Sequence, residues 1–161
     1  MNATRTPPSQ RLVTRARVLT ADEAAGIAWL GALQHDERER AVSDLKVVQV
    51  SAGELLCRVG RPATYWFGVI DGLLKMSNDT AMGIPITFTG IPPGGWFGEG
   101  TVIKREAYRY NIQALRKSVV AGLSVEAFHW LIERSIPFNR FITQQLNERL
   151  GQLIGAREID R

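Results

Sequence analysis

The sequence is short of the residues that hold metals and covalent cross-links. Its 161 residues include one cysteine, Cys57, and two histidines, His35 and His129. A lone cysteine excludes an internal disulfide, a cysteine-based zinc site and a cysteine-ligated iron–sulfur cluster, all of which need several thiolates. It suits a reducing compartment. Two histidines far apart in the chain argue against a histidine-rich metal centre. No run approaches the roughly 18 consecutive apolar residues that a membrane span requires. Residues 1–20 are polar and lack the apolar stretch of a secretory signal. The chain reads as a soluble, cytoplasmic protein with no membrane partner.

What is present is enough for one folded domain, with 45% hydrophobic and 22% charged residues. The formal charge of +4 is unevenly spread. Arg5, Arg11, Arg15 and Arg17 all precede the first acid, Asp22, and read as a solvated tail. Lys104, Arg105, Arg109, Arg116 and Lys117 crowd residues 101–120 against a single acid, Glu106, and can set a positive potential over an anion site.

Residues 1–18, with Pro7 and Pro8, read as a flexible lead-in. Asp22 is a candidate N-cap for a helix carrying Ile27, Leu30 and Leu33, and a second helix over 36–45 turns Val42 and Leu45 inward. Ten of the 15 glycines and four of the seven prolines then fall between residues 53 and 100. Between them lie β-type runs at 46–50, 54–59, 66–70, 73–76 and 84–89, followed by 110–115 and 119–123. Short strands punctuated by turn residues predict an antiparallel barrel. Helix returns with Ser124 as a cap over 125–135, and Pro137 breaks or restarts the chain before a long helix from Phe138 onward. On that helix Leu146, Leu150 and Leu153 step by four and three, the spacing of a coiled-coil seam, and predict self-association. The fold class expected is α+β: a double-stranded β-helix, jelly-roll-like, flanked by N-terminal helices and a long C-terminal dimerisation helix. The expected divisions are 1–18 lead-in, 19–136 barrel domain and 137–161 dimerisation helix.

The order of these parts resembles the sensor half of Crp/Fnr-type transcription regulators. Gly53, Leu56 and Gly60 are similar to that family's first glycine-flanked strand, and Val69, Gly72 and Lys75 to its next. Gly94, Gly95, Trp96, Phe97, Gly98 and Glu99 are similar to its phosphate-cassette lead, and Ala114 to Ser118 to the closing strand. The resemblance implies a cyclic-nucleotide-binding-like domain that senses a small anionic effector, with cAMP and cGMP as candidates and no cofactor certain. The implied effector site is Phe97, Gly98, Glu99, Gly100, Thr101, Arg109 and Tyr110. In relatives that bind cyclic nucleotides, the glutamate accepts a ribose 2′-hydroxyl, the turn's N–H groups meet the phosphate, and an arginine on the facing strand bonds it.

Counted forward from Gly98 and Glu99, Arg109 takes the place of that arginine. Counted back from Ala114 and Leu115, the place holds Tyr108, and Arg109 replaces a small hydroxyl residue; a shift of one residue turns a strand side chain to the other face. Plainer roles also stand: Glu99 as a cap or paired with a nearby arginine, Trp96 and Phe97 as core wall, Tyr108 and Tyr110 as packing or a ligand platform, and Cys57 as a small buried apolar residue. For haem, neither histidine falls in the barrel or the seam, leaving Met76, Met82 or the N-terminus as ligands. A cupin-type enzyme needs barrel histidines, which this barrel lacks, so no catalytic or metal-binding residue is assigned.

The resemblance further implies a homodimer through the C-terminal helix, and DNA binding through a helix-turn-helix domain expected beyond Arg161. The alternative is a stand-alone cyclic-nucleotide-binding or protein-interaction module with no DNA role.

Overall fold

The computed structural model of the chain describes residues 15–79 and 85–159. Met82, and most of the lead-in expected over 1–18, lie outside them. The chain opens with β1 (Arg17–Val18), which belongs to the sheet rather than to a free lead-in, since Arg17 and Val18 pair with Val47 and Lys46. Two short helices follow, α1 (Ala21–Ala25) and α2 (Ala28–Gly31), then α3 (His35–Asp44). The expected Asp22 cap is corrected. Thr20 caps α1, accepting from the Glu23 N–H at 3.1 Å, while the Glu23 carboxylate accepts from the Thr20 N–H at 3.0 Å. This reciprocal arrangement satisfies two backbone donors at once, which Asp22 inside the first turn cannot do.

The strands are β2 (Lys46–Val50), β3 (Leu55–Cys57), β4 (Tyr65–Asp71), β5 (Leu74–Asp79), β6 (Pro85–Ile91), β7 (Trp96–Phe97), β8 (Asn111–Ala114) and β9 (Ser118–Ser124). They form two antiparallel sheets, one in the order β1-β2-β9-β4-β7 and one in the order β3-β8-β5-β6. This is the expected jelly-roll-like barrel, with α4 (Glu99–Lys104) inserted after β7 and with α5 (Val125–Arg134) and α6 (Ile136–Ile159) at its end.

The five-stranded sheet is buried on both faces, because alternate side chains along each strand enter two different cores. Val48, Phe67, Val69, Phe97 and Val120 face the second sheet and pack with Leu56, Cys57, Leu74, Tyr108 and Ile112. Their neighbours Val47, Trp66, Trp96 and Ala121 face the helices and pack with Trp29, Leu30, Phe128, Leu131 and Phe138. Trp29, Trp66 and Phe138 meet at centroid distances of 5.3–5.6 Å, the contacts with Phe138 edge-on. Each edge-on pair adds about 0.5–1.5 kcal/mol beyond simple burial.

Hydrogen bonds fix the helices on this surface. Ser124 caps α5 by accepting from the Ala127 N–H, and donates from its own N–H and hydroxyl to the Asp44 carboxylate, both at 2.8 Å. At the next corner the Ser135 hydroxyl accepts from the Phe138 N–H, and Pro137 sits in the first turn of α6, where a missing N–H costs nothing.

Candidate functional site

The site is built around the tight connection from β7 into α4. Gly98 takes φ +85°, a left-handed conformation that L side chains rarely adopt, and its carbonyl accepts the first bond of α4 from the Val102 N–H at 3.0 Å. Space also demands glycine here, since a Cβ would lie 2.9 Å from the Tyr110 hydroxyl. At the far end, the Val102 carbonyl lies 2.9 Å from the His129 Nε2 on α5. The turn is thus held between the barrel and the helices.

Glu99 opens α4 with a fully buried side chain. It lies on the helical side of the sheet, where the Trp66 indole N–H donates to Oε2 at 3.4 Å. Oε1 is 2.7 Å from Arg149 Nη1 on α6. That contact is an ion pair without hydrogen-bond alignment, leaving Oε1 with no aligned donor. The second guanidinium nitrogen of Arg149 donates to the Trp96 carbonyl, to which Gln145, one turn earlier on α6, also donates at 3.0 Å. Of the readings open for Glu99, pairing with an arginine is the one the structure displays.

Tyr110 lies on the barrel side of the turn, its hydroxyl 3.5 Å from Thr101 Oγ1. Burial pushes its phenol up to about 12, against an opposing effect of the Thr101 contact. Tyr108, in the connection from α4 to β8, donates to the Tyr65 carbonyl at 3.1 Å, its ring 5.9 Å from that of Tyr110. Its phenol is likewise pushed up, first by burial and then by the neighbouring Cys57. Both phenols therefore remain neutral donors at any ordinary pH.

The structure brings Gly98, Glu99, Thr101 and Tyr110 together at the first turn of α4, with Gly100 open beside them. Phe97 is buried in the barrel, stacked on Phe67 at 6.1 Å. Arg109 stands apart: its side chain is 78% exposed and pairs with Glu106 at 3.4 Å. The buried neighbour facing the barrel is Tyr108, as in the backward count from Ala114. Arg149, Gln145 and Trp66 are neighbours of the turn that sequence reasoning did not find. The signal was Gln145 and Arg149 four positions apart on the long helix, a polar pair that shares one face. On the same helix Leu146, Leu150 and Ile154 are exposed, with Leu150 at 56%, while Leu153 lies outside the residues whose side chains are described.

The cyclic nucleotide-binding domain family matches residues 47–135, more than half of the chain, and the chain belongs to that family. No curated protein matches the sequence. Among solved structures, the chain is similar to the sensor domain of the transcriptional regulator DNR from Pseudomonas aeruginosa, with TM-score 0.70 and 19% identity over 83% of this chain and 90% of that one. It is similar to the Thermus thermophilus catabolite activator protein, with TM-score 0.69 and 18% identity over 81% of this chain and 62% of that one. It also resembles the regulatory domain of Toxoplasma gondii PKA, solved with cAMP, with TM-score 0.68 and 18% identity over 87% of this chain and 51% of that one. The fold expected from the Crp/Fnr resemblance is therefore the fold observed. The chain spans only part of the length of the latter two proteins.

Proposed function

We propose that this chain is the effector-sensing and dimerising part of a cytoplasmic Crp/Fnr-type transcription regulator that works without enzymatic activity. Residues 19–136 would form the sensor and 137–161 the dimerisation helix, with DNA read by a helix-turn-helix domain beyond Arg161. The observation that carries this reading is the placement of α6, which runs past the Gly98–Glu99 turn while exposing Leu146, Leu150 and Ile154 on another face. A change at the turn can thus reach a surface able to pair with a second copy.

The effector in this reading is a small anion, with a cyclic nucleotide the first candidate. Glu99 Oε1 is an acceptor without an aligned donor, which suits an incoming hydroxyl. With Arg109 turned to solvent, the site lacks a charge-assisted bond of about 1.5–3 kcal/mol. A cyclic phosphate should accordingly bind roughly ten- to a hundredfold more weakly than where an arginine faces it. Calorimetric titration with cAMP, cGMP and other small anions tests the site, and DNA retardation by the full-length regulator with and without them tests the output. Binding of at least one anion, with a matching change in DNA affinity, is expected; no binding and no DNA retardation under any condition would overturn the reading.

A further inference from the structure

The buried carboxylate of the turn and the long helix share one guanidinium. Arg149 bridges the two sides of Gly98, with one nitrogen on the Trp96 carbonyl before it and the other 2.7 Å from the Glu99 carboxylate after it. Gln145 adds a second donor to the same carbonyl. The Arg149 side chain is 37% exposed while Glu99 is fully buried, so the arginine can exchange its partner for water and the glutamate cannot. Stripped of Arg149, the carboxylate would keep, among the described residues, a long indole contact at 3.4 Å, a costly state for a buried charge.

We infer that Arg149 is a positioning residue that latches α6 to the effector turn. Its ion pair holds Glu99 in the apo position, and a hydroxyl group that takes Glu99 Oε1 must displace it. Losing that contact removes one of the bonds that fix the helix from Gln145 onward, the stretch that carries Leu146, Leu150 and Ile154. Occupancy of Oε1 and docking of this stretch therefore oppose one another, and by linkage each weakens the other by the same factor. The effector half of this inference rests on the proposed function; the latch itself does not.

The test is a double-mutant cycle read by amide hydrogen exchange on the full chain, with Glu99→Gln, Arg149→Met, the double variant, and Arg149→Lys as the conservative variant. Glu99→Gln keeps the size of the side chain and its acceptor for Trp66. Each single change should raise exchange at residues 146–151 about tenfold, while β2 and β9 stay protected. The double variant should be no worse than the worse single, and lysine should recover part of the protection. Effects that add, or unchanged exchange in Glu99→Gln, would overturn the latch. With cAMP as probe, exchange at 146–151 should rise in the parent chain and show no further rise in Arg149→Met. If calorimetry shows that cAMP does not bind, that counts against the effector reading, and the ligand-free cycle still decides the latch.

Discussion

Trp96 occupies the space that Gly68 leaves by having no side chain. The two residues are partners across β4 and β7, and a Cβ on Gly68 would lie 2.2 Å from Cε2 of the indole. The indole has nowhere to retreat, because Trp66 stands 4.5 Å away and Trp29 5.3 Å away. Gly68→Ala should therefore cost about 3 kcal/mol or more through overpacking, roughly 6–12 °C in Tm. Calorimetric melting within a few degrees of the parent chain would show that the aromatic cluster is softer than its geometry implies.

Of Leu146, Leu150 and Ile154 on α6, Leu150 is the most exposed, at 56%. A charge there should break a paired helix while leaving a lone one unharmed. Leu150→Asp should convert a dimer to a monomer in sedimentation equilibrium, with the circular dichroism spectrum retained. A dimer that survives the change would place the contact on another surface.

Stability against acid should depend on Glu23. Its carboxyl is held at about 2, first by the hydrogen bond from Arg17, which meets both carboxylate oxygens at 2.7 and 2.8 Å. A depressed carboxyl stabilises the fold above its unfolded value of about 4.3, and that contribution disappears as pH falls through about 2. Because Arg17 is half exposed, the pair should contribute no more than about 1 kcal/mol. Glu23→Gln should flatten the fall in unfolding free energy between those two values; an unchanged slope would assign acid lability elsewhere.

The thiol of Cys57 should be inert. Burial pushes it up to about 12, and the neighbouring Tyr108 hydroxyl offsets only part of that. Iodoacetamide at pH 8 should leave the folded protein unlabelled and modify it fully in denaturant. Labelling at the same rate in both states would mean that the barrel opens readily.

Most of the barrel was legible because glycines and β-branched runs alternate at short intervals; β2 matches its predicted limits of 46–50, and the other predicted strands overlap observed ones. β1 and β7 escaped notice because two residues carry no period to read. The turn at Gly98 was visible from its residue types. The orientation of Arg109 was not, because Arg109 lies in the bend before β8 rather than within a strand, so the alternation of strand side chains does not reach it and its side chain turns to Glu106. Arg149 was hidden for another reason: its partners, Trp96 and Glu99, lie about fifty positions earlier, and no local pattern encodes so distant a meeting.

The five-stranded sheet finishes at both margins with a strand of only two residues, β1 on one side and β7 on the other. Among the described residues, each of these marginal strands is too short to present a long row of free amides and carbonyls to a foreign strand, which limits growth of that sheet into a polymer.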